Sequence, residues 1–126
     1  MKKLIILLVA LVSLTTAYCQ TASEYVDRGE SNIHLKDYRG AIADYTKAIE
    51  IGSNYAEAYF GRGLSKADLK DYRGAIADYN KEIEINPNYT NSYHNRGLSK
   101  AELKDYRGAI ADYTKAIEID PNYAYA

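Results

Sequence analysis

Residues 56–89 read AEAYFGRGLSKADLKDYRGAIADYNKEIEINPNY, and residues 90–123 repeat them with 25 of 34 identities and no gap. Residues 22–55 form a looser third copy, and Lys36–Ile51 is letter for letter the same as Lys104–Ile119. A fixed period of this length marks one supersecondary unit stacked on itself. In the second copy the apolar residues from Tyr72 fall at Tyr72, Ala75, Ile76, Tyr79 and Ile83, the spacing of one helical face, with Arg73, Asp78, Lys81 and Glu84 on the other. Asp71 stands before this helix, where its carboxylate can accept from the free amides of the first turn; Asp37 and Asp105 recur at the same place. Asn86-Pro87-Asn88 ends the helix, because proline disfavours helical geometry in the residue before it. Asp120-Pro121-Asn122 does the same in the third copy, and Gly52-Ser53 replaces the proline after the first.

Upstream, Tyr59, Gly63 and Ala67 lie four apart on a second helical pattern that ends near Leu69. Glycine costs about 1 kcal/mol against alanine in a helix. Its recurrence as Gly29, Gly63 and Gly97 predicts a close approach, read here as two helix backbones crossing. Only Lys70-Asp71 separates the two patterns, so the helices must run antiparallel. Six helices are expected, the first of each pair over 22–35, 56–69 and 90–103, the second over 38–51, 72–85 and 106–119.

The 126 residues suffice for one small domain, at 47% hydrophobic and 26% charged. Met1-Lys2-Lys3, the apolar run Leu4–Leu14 and Thr15-Thr16-Ala17-Tyr18-Cys19-Gln20 have the three-part layout of a secretory signal peptide over residues 1–19. Small Ala17 and Cys19 favour cleavage after Cys19, with a cut after Ala17 as the alternative. The expected product is exported, periplasmic or secreted. Lipidation of Cys19 is the lesser alternative, because bulky Tyr18 stands before it. Cleavage removes the only cysteine and leaves no thiol chemistry. It also removes Lys2 and Lys3 and no acid, moving the net charge from −1 to −3, so nucleic acid is not an expected partner.

Twelve of the fourteen tyrosines occupy four fixed places per copy: Tyr25, Tyr38, Tyr45 and Tyr55, then the same set in each later copy. Such a ladder could stack on bases or sugars. The spacing is that of a helical core, so packing is the expected role, each phenol oxygen reaching water or a carbonyl.

The pattern resembles the tetratricopeptide repeat over residues 22–123, on Tyr59, Gly63, Leu69, Ala75, Tyr79 and Pro87 of the second copy and Tyr93, Gly97, Leu103, Ala109, Tyr113, Ala116 and Pro121 of the third. The departures are Tyr25, Tyr59 and Tyr93 for the family tryptophan, Arg28, Arg62 and Arg96 for a usual leucine, and Glu82 where the other copies have Ala48 and Ala116. The resemblance implies an all-α, right-handed superhelical solenoid of antiparallel helix pairs, with the first helices lining a concave groove for a protein or peptide. Carried over by position, the groove residues are Val26, Glu30, Ile33 and His34; Glu57, Phe60, Leu64 and Asp68; and Asn91, His94, Leu98 and Glu102. Of nine differences between copies two and three, five fall in the first six residues and a sixth is Asp68/Glu102, while the second helix scarcely varies. A segment with an apolar anchor and some positive charge suits this mixture. One family subset grips acidic chaperone C-termini with Lys, Arg and Asn. The matching places here are Val26, Glu30, Gly61, Asn91 and Asn95, which lack the cations, so no such binding is expected.

Chemistry is not expected, and neither is a cofactor. Gly61-Arg62-Gly63-Leu64-Ser65-Lys66 lacks phosphate-loop spacing and a preceding strand. His34 and His94 lie in different copies without metal-ligand spacing. Asn88-Tyr89-Thr90 fits a glycosylation sequon, which matters only in a eukaryotic secretory pathway. The reading is a non-catalytic interaction module. Its alternative is a self-associating subunit, or a fragment of a longer protein: Ala124-Tyr125-Ala126 reads as the start of a fourth copy, and Ile110, Tyr113 and Ile117 would then present an uncapped apolar strip to a homo-oligomer.

Overall fold

A computed structural model describes residues 20–123, which form six helices: α1 (Ala22–His34), α2 (Tyr38–Ile51), α3 (Ala56–Asp68), α4 (Tyr72–Ile85), α5 (Thr90–Glu102) and α6 (Tyr106–Ile119). The expected signal peptide and the start of a fourth copy lie outside the described residues. Each first helix packs on the second helix of its own pair, and each second helix on the first helix of the next pair, which makes an α-solenoid of three hairpins.

The caps that delimit these helices repeat. Asp37, Asp71 and Asp105 each accept from the amide three residues on, at 3.0, 3.1 and 3.0 Å. Inside each hairpin turn one lysine (Lys36, Lys70, Lys104) takes a positive φ of 59 to 64°, which reverses the chain in two or three residues. Asn86 and Asp120 leave their helices extended before proline. Gly52 adopts the same extended backbone without a proline, so the link from the first hairpin to the second matches the others.

One expectation about helix faces is corrected. Asp78 does not join the solvent face. It is buried with its equivalents Asp44 and Asp112, and each takes an arginine from the paired first helix. Arg62 Nε and Nη2 donate to the two Asp78 oxygens at 2.9 and 2.7 Å, and Arg96 grips Asp112 in the same fork at 2.9 and 2.6 Å. Lys66 and Lys100 add a second cation at 3.0 Å. In the first hairpin Arg28 binds one Asp44 oxygen and Asn32 the other, Asn32 standing where later copies have lysine. Each arginine also lies over a tyrosine one turn back, Tyr25, Tyr59 or Tyr93, at 5.2–5.7 Å from the ring centre.

The recurrent glycine marks a tyrosine ring before it marks crossing backbones, although at Gly97 the Ala109 carbonyl of α6 also stands 3.3 Å from where a Cβ would lie. A Cβ on Gly63 would stand 2.7 Å from the Tyr79 ring, and one on Gly29 2.8 Å from Tyr45. The tyrosine of each second helix fills the space a side chain would need. Tyr59 and Tyr93 are buried too, and their hydroxyls donate to the carbonyls of Ser53 and Pro87, as the packing role requires.

The two seams between hairpins differ in chemistry. Buried Ala48 and Ala58 share the apolar core that joins the first two hairpins. At the next seam Glu82 is buried, and the Ser92 hydroxyl donates to it over a very short contact. Burial pushes the Glu82 carboxyl above its ordinary range, and the Ser92 bond opposes this in part. Beyond α6 the strip is open: Tyr106, Ile110 and Ile117 are exposed and Tyr113 half-buried, whereas Tyr38, Ile42 and Ile49 of the identical α2 are half-buried.

Asp78→Ala, which strands Arg62 and Lys66, should lower the unfolding free energy by about 3 kcal/mol in urea titrations. An effect near zero would show that the fork does not hold the hairpin. Glu82→Ala should behave oppositely with pH. Because the folded-state pKa is raised, the stability that protonated Glu82 contributes is complete below the ordinary glutamate range and is lost as pH rises through the elevated value. The alanine variant should gain on the parent as pH rises from 4 to 7; a gain that shrinks over that range would refute the account.

Candidate functional site

The inner face of the solenoid carries two cavities that meet at Leu64. The first, of about 390 Å³, lies between α1 and α3. Glu30, Ile33 and His34 of α1 face Glu57, Phe60 and Leu64 of α3 across it, with Tyr45, Gly61 and Tyr89 completing its wall. The second, of about 240 Å³, lies between α3 and α5. Leu64, Ala67 and Asp68 form one side, Asn95, Leu98, Ser99 and Glu102 the other, and Tyr72 and Tyr79 of α4 supply the rest. Neither cavity is lined by a lysine or arginine.

Nine of the twelve residues carried over from the resemblance thus line these cavities. Val26 is corrected: it is buried in the core with Ala41, Tyr45, Ala48 and Ala58. Its counterparts Phe60 and His94 are larger and reach tyrosines. Phe60 meets Tyr89 edge-on at 5.1 Å, and His94 meets Tyr123 likewise at 5.2 Å. Valine is too short for such a contact and stays in the seam. Asn91 and His94 line neither cavity. Asn91 donates to the Tyr89 hydroxyl at 3.1 Å and accepts from Tyr123 at 2.6 Å, so its amide links two tyrosines of successive copies.

Sequence reasoning missed the tyrosines of the second helices. Tyr45 and Tyr79 are core residues and groove wall at once. Burial first, then the charges of Glu30, Asp44 and Glu57, push the Tyr45 phenol up to about 12. Burial, then Asp68 and Asp78, push Tyr79 higher as well. The groove acids therefore project a negative field onto its wall. Among the described residues, none of Glu30, Glu57, Asp68 and Glu102 makes an ion pair. These residues form no cluster able to hold a metal ion.

Fold and groove define a solenoid of helical hairpins with a concave face built largely by the first helices. Tetratricopeptide repeat models match residues 56–89 and 90–123, and a further TPR repeat model matches 33–69. The chain belongs to the tetratricopeptide repeat family. No curated protein matched it. Among solved structures, the first TPR domain of Spaghetti (RPAP3) bound to the HSP90 peptide SRMEEVD is similar at 27% identity and a TM-score of 0.80, with 82% of each chain covered. The TPR2B domain of yeast Sti1, in a complex with pHsp70, is similar at 29% identity and a TM-score of 0.76, covering 79% of each chain. MamA is similar at 27% identity and a TM-score of 0.78 over 84% of this chain, which spans 62% of the MamA chain.

Proposed function

We propose that this protein is an exported, non-catalytic adaptor that holds a segment of a partner protein along its concave groove. The observation that carries this reading is that two cavities share Leu64 in their linings, so that apolar and acidic walls follow one another over all three hairpins. The complexes of RPAP3 with an HSP90 peptide and of Sti1 with pHsp70 support it, since both proteins are similar to this chain in fold. Export rests on the charged start and apolar run of residues 1–19.

A second reading, pairing of two copies through α6, rests on the exposure of Tyr106, Ile110 and Ile117. Head-to-tail stacking is disfavoured, because α1 presents Glu24 and Asp27 at the places where α3 brings buried Ala58 and Gly61 against α2. The pairing mode would be α6 against α6.

Replacing Leu64 and Leu98 by serine should abolish capture of the partner from the exporting compartment while leaving the helical circular dichroism unchanged. Identical capture by parent and variant would sink the groove reading. The parent, recovered after expression with its own leader, should begin at Gln20 by mass; recovery only as the uncleaved chain would remove export. Light scattering at about 100 μM checks the second reading: a dimer abolished by Ile110→Glu with Ile117→Glu supports it, and a parent monomer ends it.

A further inference from the structure

The first helices carry cations, but these do not serve the groove. Arg28, Arg62, Arg96, Lys66 and Lys100 are all spent on Asp44, Asp78 and Asp112. What remains in the trough, beside His34 in the first cavity, is two carboxylates per cavity. Glu30 and Glu57 line the first, Asp68 and Glu102 the second, and apolar Leu64 lies between them. Unpaired acids facing one another across a concavity concentrate negative potential there.

A second observation is independent of these charges. Tyr79 forms part of the second cavity's wall and is 0% exposed, and its hydroxyl has no hydrogen-bond partner in the protein. A buried hydroxyl without a partner costs about 1–3 kcal/mol. The buried phenols of the first helices, Tyr59 and Tyr93, which occupy a different place in the repeat, both find carbonyls. Tyr79 is thus an unused polar group at the edge of a cavity, suited to a backbone carbonyl or amide brought by a ligand.

We propose that the groove selects a cationic segment in extended form. One Lys or Arg sits between Glu30 and Glu57, a second between Asp68 and Glu102, an apolar residue between them rests on Leu64, and a main-chain group of the segment bonds to the Tyr79 hydroxyl. This rests on the groove being the binding site. The cavities are offset by one hairpin, roughly 10 Å if first helices are spaced like packed helices, and extended chain advances about 3.3 Å per residue. Side chains of an extended segment alternate between faces, so the two cations and the apolar residue between them share the groove face only at every second position. The cations therefore stand four residues apart, about 13 Å, with the apolar residue midway, and the flexible cationic stems take up the difference. The chemistry is the reverse of the RPAP3 ligand, whose sequence SRMEEVD carries three acids in its last four residues.

The test uses fluorescence anisotropy with a labelled Ser-Lys-Ala-Leu-Ala-Lys-Ser peptide, which puts both lysines and the leucine on one face, and with versions carrying serine or glutamate in place of both lysines. The lysine peptide should bind about tenfold tighter than the serine peptide and lose most of that margin at high salt, and the glutamate peptide should not bind. Glu30→Gln with Glu57→Gln, and Asp68→Asn with Glu102→Gln, should each weaken it by about tenfold while the serine peptide is unaffected. Tyr79→Phe should weaken it about threefold without loss of the protein's own stability, since it removes a hydroxyl unpaired in the free protein. Equal binding of lysine and serine peptides, both lost on replacing Leu64 and Leu98 by serine, would overturn the cationic selection and leave the groove standing. Binding indifferent to those leucines, or no binding of any peptide, would overturn both.

Discussion

A single guanidinium can hold three helices when its planar fork is fully used, and this solenoid depends on that arrangement. Arg62 grips Asp78 of its own hairpin through Nε and Nη2, and its Nη1 reaches Thr46 of the preceding hairpin at 3.3 Å. Arg96 does the same with Asp112 and with Asn80 at 2.9 Å. The same side chain thus fixes the angle within one hairpin and the seat of that hairpin on its neighbour. Arg28 has no preceding hairpin among the described residues, and its side chain is 54% exposed against 18% for Arg62 and Arg96. The preceding second helix is what encloses the later arginines, and the apolar seam around Ala41, Tyr45, Ala48 and Ala58 grows beside this framework.

The same economy of charge sets the character of the concave face. Structural aspartates absorb the basic residues of the first helices, so the carboxylates of the trough have no internal counter-charge. Residues that pair across the hairpin recur in each copy apart from Asn32, which replaces lysine, whereas some of the residues that line the cavities vary between copies. Glu30, for example, has Leu64 and Leu98 as its counterparts. Tyr45 and Tyr79 connect the two systems, being packed against glycines on one side and forming the groove wall on the other.

Periodicity and caps made the helices legible in the sequence almost to the residue, because apolar spacing, Asp37, Asp71 and Asp105, and the terminal prolines are local signals. The buried charges were not legible from one helix alone. Asp78 looks like a solvent residue until Arg62 is set beside it, and the available clue was the constant spacing of 16 between Arg and Asp in all three copies. The glycine signal was real, but its first cause is a ring belonging to another helix, which helix propensity does not encode, with the backbone approach expected from the sequence showing only at Gly97. Val26 was misplaced because position alone does not convey side-chain length: Phe60 and His94 at the same place extend to tyrosines. The left-handed lysines of the turns carry no residue-type signal, since φ near 60° is uncommon for any side chain but glycine. Of the groove, the first-helix part could be read by analogy, whereas the contribution of the second helices could not.

The identity of Lys36–Ile51 and Lys104–Ile119 bears on how the chain reaches its native pairing. During folding α1 meets two chemically indistinguishable candidate mates, α2 and α6. What separates right from wrong is proximity: a turn of two or three residues closes the correct hairpin far sooner than a loop spanning two further repeats. The left-handed lysine of that turn is then a kinetic selector, and loosening it would open a route to swapped hairpins.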